Sequence, residues 1–444
     1  MGLPFVQPYF GGGSNGDRSF AEGVNFAVAG ATAMDISFFT ERGIINSATN
    51  VSLGNELDWF KQMLSSFCHT PSRCKEYLEN SVVLMGEIGG NDYNYAFLQG
   101  HPKEEVLSFV PKVITVIAST INELIKYGVQ TLIVPGNLPI GCSASYLSYF
   151  MTSNASEYDP QTGCINWLND FAEYHNELLQ EELDRLIELH PHTTIVYADY
   201  YNAAMRLYKS PRFNNTLDAC CGGGGPYNSN EHVYCGSQLS TVCDSPSSYI
   251  NWDGSHLTEA AYRWIANGLL KGPYTSPQIN GQFLVLFVST GHVAGCYKAI
   301  VSFGDSLTDT GNLIRMSQSS NGYVMSAVLP YGETYFHHPT GRYSDGRLII
   351  DFIALSMGLP FVEPYFGGKS SGDRSFTKGV NFAVAGATAM DISFFTERGI
   401  TNRCTNASLG TELEWFKHMM SSFCDTPSSK LSSAPLVFPL YILK

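Results

Sequence analysis

Three kinds of segment in this chain carry side chains of the kinds used in nucleophilic catalysis, and the first contains a serine. An apolar run ends in Gly304, Asp305 and Ser306, which places a hydroxyl in a turn of small residues. Such a hydroxyl can act as a nucleophile when it is exposed and nearby backbone N–H groups can face a developing oxyanion. The same three residues are also common in ordinary turns, so alone they do not separate a nucleophile from a turn.

The second segment pairs an acid with a histidine. Asp253 and His256 stand three residues apart, just before a run of helical periodicity that begins at Thr258. A carboxylate at this distance can accept a hydrogen bond from one imidazole nitrogen and leave the other nitrogen to take a proton from serine. The alternatives are that Asp253 is a turn or capping residue and that His256 is a surface histidine.

Two glycine-rich segments could supply hydrogen-bond donors to an oxyanion. Asn91 lies in a glycine-rich loop directly after an apolar run, and its side-chain amide is a donor. Residues 23–32 end in small residues, where the backbone N–H of Gly30 could point at a substrate. The same sequence recurs at 379–388 and contains Gly386. Each segment is equally compatible with a strand that ends in a glycine turn.

The recurrence belongs to a long internal repeat. Residues 1–72 align with residues 357–428, and 58 of the 72 positions are identical. Such a period is far too long for a solenoid unit, so we interpret the chain as two fused partial copies of one domain. The expected parts are a first copy without a serine segment (1–278), a joint (279–297), the start of a second copy (298–428) and a divergent tail (429–444).

The elements that must position these residues alternate between apolar runs and helical stretches. Residues 298–303, 81–85, 130–135 and 193–197 are continuous apolar runs, typical of strands buried on both faces. Helical periodicity covers 103–127 and 164–189. This alternation predicts a parallel sheet with helices on both faces and a functional site beyond the carboxyl ends of the strands.

Composition limits the partners. The chain has 444 residues, of which 44% are hydrophobic and 15% are charged, and its net charge is −14. An acidic chain without a basic run repels nucleic acid and anionic membrane surfaces, so neither is an expected partner. No apolar stretch was found that approaches the roughly 20 residues of a membrane span, which predicts a protein without one.

Cysteines and sequons point to an oxidising compartment. The chain has 11 cysteines, together with Asn-x-Ser/Thr sequons at Asn50, Asn154, Asn214 and Asn406. Both features suit secretion or the vacuole, although the sequence at Met1 has no signal-peptide pattern. No Cys-x2-Cys pair or His-Glu-x-x-His motif occurs, so we expect neither a metal nor a cofactor.

Taken together, the four segments resemble the GDSL-type esterase/lipase family, also called SGNH hydrolases. The resemblance is strongest to its plant branch, with esterases of specialised metabolites such as acetylajmalan esterase and sinapine esterase. It implies a three-layer α/β/α fold with a parallel central sheet, and hydrolysis of small-molecule acyl esters. The roles it implies are Ser306 as nucleophile, His256 as general base and acid, Asp253 as its orienting partner, and Gly30 or Gly386 with Asn91 in the oxyanion hole.

The order of the segments departs from the family. In the family the serine segment comes first, whereas here Ser306 follows His256, and neither copy alone holds a complete site. We expect 298–356 to complete the first copy in space, as in a circular permutant. Residues 1–72 and 357–428 then compete for one position, and covalent continuity favours 1–72. Two functions stay open, an ester hydrolase assembled from both copies and a catalytically inactive, mis-fused protein with at most ligand binding.

Overall fold

A computed structural model of the chain describes residues 18–19, 26, 30–45, 51–67, 78–79, 81–85, 87–279, 299–302, 304–317, 324–357, 359, 361–362, 374–375 and 379–381. Within these residues the strands are β1 (Arg18–Ser19), β2 (Ser81–Leu84), β3 (Thr131–Pro135), β4 (Thr194–Ala198), β5 (Asn215–Ala219), β6 (Cys221–Gly222), β7 (Thr241–Val242), β8 (Tyr249–Asn251), β9 (Thr275–Ser276), β10 (Ala299–Ser302), β11 (Arg374–Ser375) and β12 (Gly379–Asn381).

Six of these strands form the central sheet, in the order β12-β10-β2-β3-β4-β9. All neighbours are parallel except β9, which pairs antiparallel with β4 at the edge. Every residue of β2 and β3 is buried, as expected for strands covered on both faces. The strand that leads to Ser306 therefore lies inside the sheet, between β12 and β2.

The helices divide into two packed groups. Helix α5 contacts both α2 and α7, and helix α9 contacts both α8 and α11. Together with the sheet they make the three-layer α/β/α arrangement that the sequence predicted. The helices are α1 (Ile36–Thr40), α2 (Leu53–Phe67), α3 (Gly90–Phe97), α4 (Lys103–Leu107), α5 (Val110–Tyr127), α6 (Ala144–Tyr149), α7 (Asn166–Leu189), α8 (Tyr200–Tyr208), α9 (Glu259–Lys271), α10 (Asn312–Ser317) and α11 (Ile349–Ser356).

The helical run predicted over 103–127 is two helices. Helix α4 ends at Leu107 and α5 starts at Val110 with Pro111 in its first turn. Proline has no N–H to donate and is favoured in a first turn, so a new helix begins here.

The segment 103–127 is also the one described stretch long and apolar enough, by length and composition, to cross a membrane. Half of the apolar part of this segment is buried in the fold. The buried positions of α5 include Val113, Ile117, Ile121 and Leu124, which repeat at helical spacing. This burial is typical of a core helix, and no clear membrane span is present among the described residues.

Both copies of the repeat contribute to the fold. From the first copy, Ile36, Phe39, Leu53 and Phe60 are fully buried in the core. From the second copy, β12 (Gly379–Asn381) forms the sheet edge beside β10. The two copies also meet directly, because β1 pairs in parallel with β11, its own repeat.

Three disulfides tie the loops around the carboxyl ends of the strands. They join Cys142 to Cys164, Cys220 to Cys243, and Cys221 to Cys235. The last two bridges hold together the segment that precedes β8, and β8 leads directly to Asp253. The pairings of the other five cysteines lie outside the described residues.

Candidate active site

The serine segment leaves the sheet through a glycine with a positive φ. After β10, Gly304 has φ +127°, a backbone conformation that side chains rarely adopt. Its N–H donates to Oε2 of the buried Glu56 at 3.0 Å, which fixes the start of the turn. The turn leaves Ser306 half-buried, between the buried residues Asp305 and Leu307.

Asp305 links this turn to Asn91. The side-chain amide of Asn91 donates to Oδ2 of Asp305 and, at 3.3 Å, to the carbonyl oxygen of Ala31. The other carboxylate oxygen of Asp305 accepts from the N–H of Leu307 at 2.9 Å. The predicted oxyanion donor Asn91 is therefore held directly beside the residue that precedes Ser306.

Gly30 lies on the other side of Asn91. It is buried, has φ +81°, and accepts a hydrogen bond from the hydroxyl of Tyr95 at 3.3 Å. Since Asn91 contacts Ala31, the next residue, the structure brings Gly30 and Asn91 together. Gly386, the equivalent of Gly30 in the second copy, lies outside the described residues.

Asp253 and His256 form the predicted pair. Nδ1 of His256 lies 2.9 Å from Oδ2 and 3.0 Å from Oδ1 of Asp253. The backbone N–H groups of Ser255 and His256 both donate to Oδ1 at 2.8 Å, so the loop folds around the carboxylate. Burial acts to raise the pKa of Asp253. His256, Ser255 and a further donor, Tyr331, outweigh it and hold the pKa below its usual range.

Two tyrosines from the serine-bearing half support this pair. The buried Tyr331 donates to Oδ2 of Asp253 at 2.8 Å. The ring of Tyr343 lies against the imidazole of His256, with 4.7 Å between ring centroids. Tyr331 and Tyr343 also meet edge to face at 5.8 Å. Each member of the acid–histidine pair thus contacts a tyrosine from beyond residue 298.

The serine-bearing half of the chain also forms hydrogen bonds with the helix that follows His256. Helix α9 begins at Glu259, whose N–H donates to Asp345 at 2.6 Å. The Glu259 carboxylate accepts from the guanidinium and backbone N–H of Arg347, at 2.9 to 3.2 Å. Burial acts to raise the pKa of Glu259, but the contacts with Arg347 hold it below its ordinary value. These bonds fix 324–357 to the segment that carries His256.

A cavity is shared by the serine and histidine segments. Its wall includes Leu307, the residue after Ser306, as well as Ser255 and Leu257, which flank His256. Burial raises the pKa of Asp305 to about 6, and the charge of His256 acts against this rise. The two segments therefore lie at one site. Among the described residues Ser306 makes no side-chain hydrogen bond, so a bond between Ser306 and His256 stays a prediction.

Sequence reasoning missed the buried acids beneath the serine turn. Glu87 follows β2 and shares a hydrogen bond with Asp305, while Asp92 accepts from the N–H groups of Ala33 and Met34 at 2.7 and 2.8 Å. Burial raises the pKa of Glu87 and Asp92 well above the usual range. An acid three residues beyond a buried, mostly apolar strand was the signal for Glu87. These acids join the loops that carry Gly30, Asn91 and Ser306.

Two predictions about sites remain, namely the glycosylation sequons and the absence of a metal. Asn154 and Asn214 are exposed, whereas Asn50 and Asn406 lie outside the described residues. In the part of the chain that the structure describes, no three His, Cys, Asp or Glu side chains group as a metal site would require. The expectation of a metal-free enzyme stays a prediction.

The geometry of the site agrees with the protein family that the sequence matches. The model of the GDSL-like lipase/acylhydrolase family matches residues 1–269 and 300–430. The chain therefore belongs to the GDSL-like lipase/acylhydrolase family, whose members are ester-hydrolysing serine hydrolases, and it is a carboxylic-ester hydrolase of that family. The match is split at the joint between the two copies.

Plant proteins are among its relatives. The chain is 52% identical over 284 residues to the GDSL esterase/lipase At1g28610 of Arabidopsis thaliana. The aligned region covers 63% of this chain and 73% of the relative. It is 54% identical over 281 residues to the GDSL esterase/lipase At1g28590 of the same plant, which covers 62% of this chain and 69% of the relative. It is 50% identical over 285 residues to the sinapine esterase of Brassica napus, covering 63% of this chain and 72% of that enzyme.

Proposed function

We propose that the ester hydrolysis runs through a covalent acyl intermediate on Ser306. The hydroxyl of Ser306 attacks the ester carbonyl while His256 takes its proton and then returns it to the leaving alcohol. Water is next activated by His256 and releases the acid. The observation that carries this proposal is the hydrogen-bonded pair Asp253–His256, whose neighbours Ser255 and Leu257 line one cavity together with Leu307.

The remaining groups have supporting roles in this proposal. Asp253 fixes the tautomer and orientation of His256 and stabilises the imidazolium that forms. The amide of Asn91 and the N–H of Gly30 stabilise the oxyanion of the tetrahedral intermediate. Asn91 donates to Asp305 in the structure, so this role requires it to exchange that bond for one to the substrate. The reaction uses neither metal nor cofactor.

The site is assembled from both halves, with residues 298–356 and 1–278 forming one domain. Tyr331, Asp345 and Arg347 support this proposal, because all three bond residues that surround His256. Without β10, the strand β2 would have an unpaired edge inside the sheet, which is costly. The bonds between the halves favour an assembled hydrolase over an inactive relic.

The substrates we propose are esters of small molecules, including plant specialised metabolites. The Brassica napus relative is named for sinapine, so sinapine is the first natural ester to try. We also propose that the protein is secreted or vacuolar. Three disulfides and the exposed sequon residues Asn154 and Asn214 support this location. A mass shift on endoglycosidase treatment of the plant-expressed protein would test it.

The decisive experiment uses a p-nitrophenyl acyl ester with five proteins. Wild type and Ser153→Ala, a control at an exposed serine, should hydrolyse it. Ser306→Ala and His256→Ala should each lose several orders of magnitude in kcat, and the double variant should lose no more than either, since they act as a unit. A fluorophosphonate should label Ser306 in a peptide digest. Unchanged activity in Ser306→Ala would assign the reaction to another nucleophile.

A further inference from the structure

The cavity at the candidate site has a second wall that the proposed catalytic groups leave unused. Besides Leu307 it is lined by Asn137, Leu138 and Ile140, from the loop after β3. It reaches the surface near Ser255, which is exposed. Its volume is about 70 Å³, less than the roughly 150 Å³ of a cavity that holds one benzene ring. A small group fits inside it and a long acyl chain does not.

Asn137 presents an unused donor in this wall. The residue is 3% exposed, and its Nδ2 has no hydrogen-bond partner among the described residues. The backbone is held independently of that side chain, because Asn176 accepts from the N–H of Asn137 at 2.7 Å and donates to its carbonyl at 3.1 Å. Burying an amide N–H without a partner destabilises the folded protein. Such a group is expected to gain a partner from a bound molecule.

Other polar groups around the cavity are already paired, apart from the hydroxyl of the exposed Ser255. Tyr146 donates to Asn94 at 2.6 Å, and the hydroxyl of Ser143 donates to a backbone carbonyl at 2.6 Å. Glu87 accepts from the N–H of Gly90 at 3.2 Å and shares a hydrogen bond with Asp305. None of the described lining residues is Lys, Arg or His. The wall therefore offers a neutral donor and no cation for an anionic group.

We propose that this cavity is a substrate subsite in which Asn137 donates a hydrogen bond to a neutral oxygen of the ester. That oxygen is an ether, hydroxyl or carbonyl oxygen a few atoms from the scissile bond, on the acyl or the alcohol side. The inference rests on the proposed function, because the subsite matters only if Ser306 and His256 carry the reaction. It adds a preference for short, oxygen-bearing groups over alkyl groups of equal length.

The test compares esters that differ by one oxygen. On the acyl side, p-nitrophenyl methoxyacetate is set against p-nitrophenyl butyrate, and on the alcohol side, 2-methoxyethyl acetate is set against butyl acetate. Each ratio of kcat/KM is measured in wild type, in Asn137→Leu and in Asn267→Leu, a control on the exposed face of α9. Taking the ratio of the ratios removes the intrinsic reactivity of each ester.

In Asn137→Leu the oxygen-to-alkyl ratio should fall about tenfold or more in one arm, which also identifies the side of the ester that enters the cavity. The melting temperature should be kept, since leucine replaces an unpaired buried amide. Unchanged ratios in both arms would overturn the subsite and assign the cavity to buried water. Loss of all activity with a lowered melting temperature would also overturn it, by making Asn137 structural. A wild type that hydrolyses none of these esters would instead contradict the proposed function.

Discussion

The hydroxyl of Tyr331 donates to Oδ2 of Asp253 at 2.8 Å, across 78 residues of sequence. The carboxylate oxygen that receives this bond also faces Nδ1 of His256 at 2.9 Å. Tyr331 is fully buried and packs edge to face on Trp252. This tyrosine therefore orients the acid–histidine pair from the same half of the chain that carries Ser306.

We predict that Tyr331→Phe lowers kcat/KM about tenfold, since a hydrogen bond to a charged group contributes roughly 1.5 to 3 kcal/mol. Burial acts to raise the pKa of Asp253, and the Tyr331 bond is one of the contacts that lower it. Its loss raises that pKa, so the acid limb of the pH–rate profile should move to higher pH. Tyr335→Phe, at a partly exposed ring, is the control. Superimposable profiles for Tyr331→Phe and wild type would contradict a positioning role.

Asn91→Ala tests the oxyanion donor. We expect kcat to fall about 10² to 10³-fold, the usual cost of removing one such donor, while KM changes little. Steady-state kinetics on a p-nitrophenyl ester would measure both constants. Because Asn91 also bonds Asp305, thermal unfolding of the variant must be recorded beside the kinetics. A rise in KM at constant kcat would show that Asn91 binds substrate without stabilising the transition state.

The stability of the protein should fall as the pH rises toward neutrality, in part because of Asp309. Burial raises the pKa of this carboxyl from 3.8 to about 7. The folded form then holds a proton that the unfolded chain has released, so the unfolding free energy decreases from about pH 4 to about pH 7 and levels off above it.

Urea unfolding at pH 5 to 8 would measure this slope. Asp309→Asn should flatten it, and Asp184→Asn, at an exposed position of α7, should not. The replacement keeps one acceptor oxygen for the N–H groups of Gly311 and Asn312, which lie 2.7 and 2.6 Å from Oδ1. The same slope in wild type and Asp309→Asn would show that Asp309 does not titrate in this range.

The domain proposal predicts that the second copy beyond Val362 is dispensable. Gly379–Asn381 forms β12 at the sheet edge, and residues 23–25 have the identical sequence. A chain ending at Val362 should keep its esterase activity, because residues 23–25 can replace β12.

Proline substitutions sharpen this test, since proline is poorly tolerated in a strand. Val24→Pro should abolish activity in the shortened chain and leave the full chain active, where β12 holds the edge. Val380→Pro should be tolerated in the full chain. Inactivity of the shortened chain with its core still folded would show that β12 cannot be replaced.

The sequence was sufficient for the four inner strands of the sheet and for the contact between Asp253 and His256. Buried runs such as 81–84 and 131–135 have continuous apolar sequences, and the spacing of Asp253 and His256 determines a local turn. Local patterns of this kind can be read directly because the interacting residues are neighbours in the chain.

What the sequence could not supply depends on contacts between distant residues. The bond from Tyr331 to Asp253 and the link between Asp305 and Glu87 join segments more than 70 residues apart. The sequence around such a tyrosine or glutamate does not indicate its partner, because the two residues become neighbours only in the folded protein. The break between α4 and α5 was readable from Pro111, but the helical period on both sides concealed it.

The pairing of β1 with β11 brings Arg18–Ser19 against Arg374–Ser375, the same two residues in the same register. Identical segments are equally able to pair with copies on other molecules. Here both are tethered in one chain, where effective concentrations can reach about the millimolar range. At micromolar protein concentration β1 should therefore pair with β11 of the same chain, and the protein should remain monomeric. When the protein concentration approaches the effective concentration of the tethered strands, β1 of one molecule can pair in the same register with β11 of another, and molecules assemble.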